Sequence, residues 1–375
     1  MSESTILTYT EIDREAWSRL VQTSRTGTWF QSPEAYELFA SLPEMFTPFA
    51  FGVVSKPESD SGQIIEATLR GVCVGYVTKE KSRLRQFFTR RAIILGGPCL
   101  AEDATDEEVT ALLSTLNAQL STLNSQHSTL NQPPLLRRGR GMSLNAPIYI
   151  EIRNFNDYSR WRGAIEAAGF SYQPHLNFHV DCTDKQKMWE RLSDNRKRQI
   201  KRGKPTPDPS LKGGEKEGKD VSEQDVQEWY GILQELYRTK VKTPLWPVEF
   251  FVQAHKQGVG QFLLIRHEGK IIGGSMVVKS SDAVYEWYEC GMNAAYKEQY
   301  PSVMATWAGM QYAHEQGCAR YDMMGAGVPG VPYGVRDFKS EFGGTLVEHG
   351  RWLYVAKPWL YAIGKAGVEM LKIEK

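Results

Sequence analysis

Cationic side chains that could bind phosphate are concentrated in one segment, residues 185–204. Nine lysines and arginines stand there against two acidic residues, Glu190 and Asp194. The guanidinium fork of arginine matches phosphate geometry, so the segment indicates contacts to a phosphorylated or nucleic-acid ligand, with Arg198 and Lys201 as candidates. The alternative is a solvated basic helix face, the usual role of such a charge run, and it stays open.

A second candidate lies in residues 333–344, YGVRDFKSEFGG. Phe338 and Phe342 are four residues apart, so they can anchor one helical turn from which Arg336 and Lys339 project. A lysine in that position could neutralise an oxyanion or a phosphate. The alternative is a surface lysine beside a packed pair of phenylalanines.

Several other chemistries lack support. Residues 325–330 match the pattern G-x-G-x-x-G, but Pro329 and Pro332 oppose the helix that a dinucleotide site needs. Residues 325–330 instead predict a mobile loop at the end of a strand, a position where ligands commonly bind. The sequence has no nucleophile elbow, phosphate-binding P-loop or zinc-protease motif. His175 and His179 lie near Cys182, but too few ligands converge there, and we expect no metal.

The elements that must position these residues are predicted to alternate as α/β. In the second half, helices are expected at 185–202, 222–239 and 302–316, and strands at 261–266, 271–279, 283–290 and 320–324. In the first half, strands are expected at 49–54, 66–78, 91–95 and 148–153, with a helix from about residue 105. Each half therefore contains three strands, a helix and a further strand.

Two segments are predicted to be insertions outside the core. Residues 114–131 repeat the unit STLN at seven-residue intervals, and a proline pair follows. Their leucines keep helical spacing, so the preceding helix could continue into the repeats, but we interpret the region 114–146 as a tolerated insertion. Residues 204–220 are rich in proline, glycine and charge, which predicts a flexible loop.

The composition is that of an ordinary folded protein with more than one domain. The chain has 375 residues, a formal net charge of +1 and 41% hydrophobic residues. This balance excludes wholesale disorder and argues against a coat of nucleic acid. Five scattered cysteines indicate reduced thiols, and no secretory signal or membrane-spanning run is visible. We therefore expect a cytoplasmic protein.

Four segments resemble the FemAB family, whose members include the tRNA-dependent aminoacyltransferases that build peptidoglycan cross-bridges. They are WERLSDNRKRQIKRGK, WYGILQELYRTKVKTP, VYEWYECGMN and ARYDMMGAG followed by FKSEFGG. The resemblance implies an α/β fold of two tandem GNAT-like domains, with mixed, mostly antiparallel sheets and flanking helices, predicted at 1–170 and 171–375. The long helical arm of some members is not expected, because residues 204–220 could not form it.

The resemblance also implies amide-bond formation between an activated acyl group and an amine of a peptidoglycan precursor. Aminoacyl-tRNA is the expected co-substrate, and no cofactor is expected. Lys339 then becomes the candidate for oxyanion or phosphate contact. Arg198 and Lys201 become candidates for the phosphates of the precursor or the tRNA end, with Arg336 a further substrate contact. Tyr288, Tyr333 and Asp322 complete the set, although Tyr288 could instead be core and Asp322 structural.

Two other functions stay open. One is an N-acyltransferase that uses acyl-CoA, although no clear Q/R-x-x-G-x-G/A loop is visible between a strand and a helix. The other is a non-catalytic module that binds a phosphorylated glycan or RNA. At the C-terminus, aromatic and aliphatic residues alternate with lysines, which suits either a membrane surface or a helix packed on the second domain. These residues are Trp352, Tyr354, Lys357, Trp359, Leu360, Ile363, Lys365, Leu371, Lys372 and Lys375.

Overall fold

The computed structural model describes residues 4–55, 67–80, 82, 87–122, 146–203, 221–241 and 244–373. The chain divides into two compact units. Unit 1 comprises Met1–Pro174 together with His349–Lys375, and unit 2 comprises His175–Glu348.

Unit 1 is built on one mixed sheet. Its elements up to residue 174 are β1 (Ser4–Thr8), α1 (Arg14–Thr23), a 3-10 turn (Trp29–Gln31), α2 (Pro33–Ala40), β2 (Phe46–Ser55), β3 (Thr68–Thr78), β4 (Ala92–Gly96), β5 (Cys99–Leu100), α3 (Asp106–Thr122), β6 (Tyr149–Asn154), a 3-10 turn (Ser159–Trp161), α4 (Arg162–Ala167) and β7 (Ser171–Gln173).

The two faces of this sheet carry separate helices because side chains alternate along β3. Val72 and Val74 pack in one cluster with Trp17 of α1, whereas Cys73 packs in another with Leu112 of α3. Asp13 caps α1 by accepting a hydrogen bond from the backbone N–H of Ala16 at 2.8 Å.

Unit 2 has a second mixed sheet. Its elements are β8 (Leu176–Asp181), α5 (Lys185–Arg191), α6 (Asp194–Arg202), α7 (Glu223–Leu236), a π-helical turn (Tyr237–Val241), α8 (Val248–Lys256), β9 (Gln261–His267), β10 (Lys270–Lys279), β11 (Ala283–Gly291), α9 (Pro301–Glu315), β12 (Arg320–Asp322), α10 (Gly334–Ser340) and β13 (Thr345–Glu348). The strand order is β13-β8-β12-β11-β10-β9.

Helices pack on both faces of the sheet of unit 2, and two adjacent glycines of β10 show how closely. A side chain at Gly273 would meet Pro301 of α9, and one at Gly274 would meet Trp229 of α7. Because neighbouring residues of a strand point to opposite faces, α9 covers one face and α7 the other.

Each unit repeats the same arrangement of three strands, a helix and a strand. In unit 1, β2, β3 and β4 run antiparallel, and α3 leads to β6, which is parallel to β4. In unit 2, β9, β10 and β11 run antiparallel, and α9 leads to β12, which is parallel to β11. The predicted fold class of two GNAT-like α/β halves is therefore confirmed. The question of a helical arm falls on residues 204–220, outside the described residues.

The C-terminal segment folds with unit 1, which differs from the predicted second domain of residues 171–375. It forms β14 (Arg351–Val355) and α11 (Pro358–Ile373). β14 pairs with β6 on one side and β7 on the other, completing the order β1-β2-β3-β4-β6-β14-β7. Trp352 of β14 is buried in the core of unit 1. No strand was predicted from the sequence at residues 351–355.

The basic segment forms two helices, although one continuous helix over 185–202 was predicted. Leu192 and Ser193 leave the helical conformation, and the Ser193 hydroxyl accepts the N–H of Arg196 as a new N-cap. Lys187 and Arg191 therefore do not continue the helix face of Arg198.

The first part of the predicted insertion at 114–146 belongs to the core, and its assignment as an insertion was wrong there. Helix α3 runs through the repeats to Thr122. Leu116 and Leu120, both in the repeats, are buried with Leu112 and Leu113 against the sheet. Hydrophobic spacing thus outweighed the low complexity of the repeats. Residues 123–145 lie outside the described part of the chain.

We expect Leu116→Ala to lower the free energy of unfolding by about 2–4 kcal/mol, because it leaves a cavity in a packed core. The neighbouring Ser114→Ala, at an exposed position of the same helix, should change it by less than about 0.5 kcal/mol. Urea denaturation of the full chain measures both. Equal, small effects would mean that the repeats do not pack on unit 1.

Candidate active site

The sheet of unit 2 opens between β11 and β12. The two strands pair over only three residues each, 283–285 with 320–322. Beyond this point β11 continues to Gly291, whereas the chain after β12 stays bonded to β8 through the N–H groups of Met323 and Ala326. Past Tyr285, no described strand pairs with β11 on the side of β12. The opening leaves the edge of β11 beyond Tyr285 without a paired strand among the described residues, and an extended ligand could bond to such an edge.

A bulge in β11 brings two glutamates to the side of α9. The register passes from Val277 opposite Glu286 to Met276 opposite Tyr288, so Trp287 is the additional residue. Glu286 Oε1 accepts hydrogen bonds from the hydroxyls of Tyr321 at 2.8 Å and Thr306 at 2.9 Å. Burial raises the pKa of Glu286, although Lys339 and the two hydroxyls oppose that shift.

Glu289 is the least satisfied acidic group of this cluster. Its Oε1 is buried without a hydrogen-bond partner in the described part of the chain. Burial, with repulsion from Glu286, raises the pKa of Glu289 to about 8, while the Ser302 hydroxyl and Lys339 favour the charged form. A carboxyl group with such a pKa can exchange a proton near neutral pH.

Lys339 lies beside these glutamates, but its three N–H groups are already used. Its Nζ donates to the backbone carbonyls of Met323, of Met324 at 2.9 Å and of Gly325 at 3.1 Å. Burial lowers the pKa of Lys339, and Glu286, Asp322 and Glu289 oppose that shift. The geometry gives Lys339 a positioning role. Its predicted contact with an oxyanion or phosphate stays a prediction. Because no N–H of Lys339 is left to donate, Lys339 would stabilise such an anion through its positive charge.

Asp322 also fixes residues 323–325, the segment whose carbonyls accept hydrogen bonds from Lys339. Its Oδ1 accepts from the Met324 N–H at 2.8 Å and from Asn177 Nδ2 at 2.7 Å, and its Oδ2 lies 3.1 Å from His179 Nε2. Burial alone would raise the pKa of Asp322, but His179, Arg320 and Asn177 outweigh it and the pKa is lowered. Asp322 is fully buried, which places it in support of the site.

Arg336 organises the glycine-rich loop that follows. Its guanidinium donates to the carbonyls of Ala326 at 2.8 Å, Val331 at 3.0 Å and Val328 at 2.5 Å. Tyr333 packs over Gly327, whose φ of +81° and lack of a side chain permit the contact. Tyr333 is 42% exposed. Arg336 therefore holds the loop in shape. Tyr333 is the predicted site residue of this loop that is exposed enough for a ligand to contact.

The basic helix places its cations differently from one another. Arg196, which was not predicted, is buried, with Cζ 4.5 Å and 5.0 Å from the ring centroids of Phe338 and Phe342. Arg198 is exposed and donates to Asn195 Oδ1 at 2.8 Å. Lys201 is exposed, with Nζ 5.8 Å from the Trp189 ring centroid. Arg196 fastens the helix to the FKSEFGG segment, so Arg198 and Lys201 remain available as the predicted phosphate ligands.

Tyr288 lies on β11 in an aromatic cluster. Its ring is 5.0 Å from that of Phe251 and 6.0 Å from that of Trp287. It is half-buried, so both the core role and the predicted ligand contact stay open.

The N-terminus of α9, beside Glu289, is closed by the protein itself. Pro301 has no N–H, and the N–H of Ser302 is donated to Asn293 Oδ1 at 3.2 Å. Asn293 Nδ2 in turn donates to the Ser302 hydroxyl at 2.7 Å. The connection from β11, residues 292–300, contains no glycine. This end of α9 therefore offers few backbone donors to a pyrophosphate. Among the residues described, no three metal-ligating side chains are grouped.

Comparison with known proteins agrees with this architecture. Residues 210–340 match the acetyltransferase (GNAT) domain family. The crystal structure of FemX is similar over 96% of this chain and 99% of its own, with a TM-score of 0.62 at 12% sequence identity. The chain has a FemX-like tandem GNAT fold. The FemAB-like fold predicted from the sequence is thus confirmed.

Two less similar structures also match. One is L-PGS from Bacillus licheniformis, with a TM-score of 0.47 at 11% identity over 94% of this chain and 96% of its own. The other is the C-terminal domain (DUF2156) of a putative lysylphosphatidylglycerol synthetase from Agrobacterium fabrum, with a TM-score of 0.45 at 11% identity over 94% and 95%. No curated protein matches the chain by sequence.

Sequence reasoning missed Glu286 and Glu289 in this FemX-like fold. A signal was present, because the two acidic residues interrupt an otherwise apolar and aromatic strand, VYEWYECG. Their spacing of three, where strand alternation would give two or four, is what a bulge produces.

We expect Lys339→Ala to lower the free energy of unfolding by about 3 kcal/mol as well as to lower turnover. Its removal leaves three carbonyls and several buried carboxyl groups without their cation. This differs from the expectation for a surface lysine, whose loss would leave stability nearly unchanged. The exposed Lys297→Ala is the matched control. Urea denaturation that placed both variants at wild-type stability would remove the positioning role.

Proposed function

We propose that the protein is an acyltransferase that transfers an aminoacyl group to an amine of a peptidoglycan precursor, forming an amide bond. The observation that carries the proposal is Glu289, a buried carboxyl group with an unpartnered oxygen beside an open strand edge. The resemblance to the FemAB family supplies the substrate class, and the FemX-like fold supports it.

Glu289 fits the role of general base. The acceptor amine is an ammonium ion in water and must lose a proton before its nitrogen can attack an ester carbonyl. The Glu289 carboxylate takes that proton and releases it to water, then takes a second proton from the nitrogen as the amide bond forms and the ester bond breaks, and gives this second proton to the leaving hydroxyl oxygen. No covalent enzyme intermediate is needed.

The edge of β11 fits the role of donor-binding surface. Backbone N–H groups along the opening beyond Tyr285 can donate to the reacting carbonyl and to the oxyanion that forms from it. They are rigidly placed by the antiparallel pairing of β11 with β10.

The closed N-terminus of α9 favours an aminoacyl ester over acyl-CoA as the donor. A CoA pyrophosphate would seek free backbone N–H groups at such a position, and Asn293 and Pro301 reduce them here. Charged tRNA is therefore the proposed co-substrate. Arg198 and Lys201 are the proposed contacts to phosphates of the tRNA end or of the precursor, and a nucleotide-linked precursor would place the reaction in the cytoplasm.

Mass spectrometry of products tests the proposal. Purified protein is offered charged tRNA or acyl-CoA, each with nucleotide-linked or lipid-linked muropeptides. We expect an aminoacylated muropeptide from charged tRNA, and a loss of about 100-fold or more in turnover for Glu289→Gln. Glu298→Gln, an exposed glutamate of the same connection, is the control and should retain activity. Acylation from acyl-CoA alone would establish the other donor, and no product from any pair would contradict the proposal.

The pH dependence should follow the ionisation of Glu289. Because its pKa is raised to about 8, kcat/KM should rise about tenfold per pH unit below that value and level off above it. Stability should move oppositely. The folded protein holds this proton from pH about 4.5 to about 8 while the unfolded chain has lost it, so stability falls as pH rises through that window. Glu289→Gln should flatten both profiles, and an unchanged rate profile would exclude Glu289 as the base.

A further inference from the structure

The outward face of α11 in unit 1 is apolar. Trp359 and Ile363 lie four residues apart and are 46% and 53% exposed. Ala362 and Ala366 are exposed between and after them, so all four share one side of the helix. Leu360 points the other way and is buried. An exposed apolar stripe on an anchored helix is typical of a surface that binds something.

A segment distant in sequence extends this stripe. The ring of Phe87 lies 6.3 Å from that of Trp359, and Phe88, in edge contact with Phe87 at 5.0 Å, is 46% exposed. Three large apolar side chains from two segments, Phe88, Trp359 and Ile363, thus form what we call the aromatic patch.

Positive charge lies beneath and beside the aromatic patch. Arg90 and Lys357 flank it in sequence but are each 7% exposed, and Lys357 Nζ donates to the Ala146 carbonyl at 2.9 Å, so these two cations add positive potential from below the surface rather than direct contacts. Lys365 is exposed on α11 itself. In sequence, residues 79–91 carry six lysines and arginines against one glutamate, although part of this segment lies outside the described residues.

We propose that the aromatic patch docks on an anionic lipid surface. Aromatic and aliphatic side chains of an amphipathic helix insert at the headgroup boundary, and flanking cations are attracted to anionic lipids. Among the described residues no helix has the length and apolarity to cross a bilayer, so the contact is peripheral. A second copy of the chain is a poorer occupant, because two identical faces would bring their cations together.

Fewer of the C-terminal apolar residues are exposed in the structure than the sequence suggested for a membrane-binding surface. Trp352 and Leu360 are buried in unit 1, and the Tyr354 ring lies 5.6 Å from that of Phe170. Only Trp359 and Ile363 of the described apolar members are exposed, so the docking surface is smaller than the sequence suggested and gains Phe88 from elsewhere.

Co-sedimentation of the full chain with vesicles tests the proposal. Vesicles of equal parts phosphatidylglycerol and phosphatidylcholine are compared with vesicles of phosphatidylcholine alone, at low and high salt. We expect binding to the anionic vesicles that weakens with salt, and a loss of about tenfold in affinity for the double variant Trp359→Ser, Ile363→Ser. Lys365→Glu should weaken binding to anionic vesicles only.

Leu346→Ser is the matched control, because Leu346 is 47% exposed on β13 of the other unit, and it should bind like the wild type. Unchanged thermal midpoints of all variants verify folding. The proposal is overturned if the wild type ignores anionic vesicles at low salt, or if the double variant binds as well as the control. A dimer in sedimentation velocity that the double variant abolishes, without vesicle binding, would assign the patch to a second copy instead.

Discussion

The ammonium group of Lys339 is the point on which the site in unit 2 depends. Moving a charged amine out of water is costly unless its donors are satisfied and opposite charge is near. Here three consecutive carbonyls, of Met323, Met324 and Gly325, accept its hydrogen bonds. Three consecutive carbonyls can converge on one atom only if the chain turns sharply, and Met324 does so at a φ of +54°. The cation and the turn therefore stabilise each other.

The same cation sets the electrostatics of the opening in the sheet. Glu286, Glu289 and Asp322 all act on the pKa of Lys339, so three buried carboxyl groups share one ammonium. They do not share it equally. Asp322 has further donors and keeps a lowered pKa, whereas Glu289 keeps a proton up to a pH of about 8. The further donors around Asp322, rather than the shared cation, thus separate a carboxylate that supports structure from a carboxyl group that can move a proton.

Much of the fold followed from the periodicity of the sequence, and part of the site did not. The strands at 261–267, 270–279 and 283–291 were predicted within a residue or two, because their alternation of side chains and the turn residues between the first two strands, Glu268 and Gly269, are local signals. The membership of β14 in unit 1 depends on pairing with strands that are distant in sequence, which no local pattern specifies.

The site residues divide in the same way. Lys339, Asp322 and Arg336 were identified as candidates from motif and resemblance, but their roles depend on which carbonyls their atoms reach. The sequence showed that these three side chains are charged and predicted that they contact a ligand. In the structure, most of their donors and acceptors are instead hydrogen-bonded to groups of the protein. The position and raised pKa of Glu289 depend on the bulge in β11 and on the separation of β11 from β12, and both arise only when the sheet is assembled.

The interrupted course of unit 1 has a consequence for biosynthesis. β14 lies between β6 and β7 in the sheet, yet all of unit 2 is encoded between β7 and β14. On the ribosome, β6 and β7 emerge early and must wait for the last part of the chain before the strand that joins them exists. Unit 2 is continuous and can complete its own sheet first, since domains fold as units during synthesis. Until β14 has been synthesised, the hydrogen-bonding edges of β6 and β7 that it will occupy are open, and such unpaired strand edges are prone to aggregation.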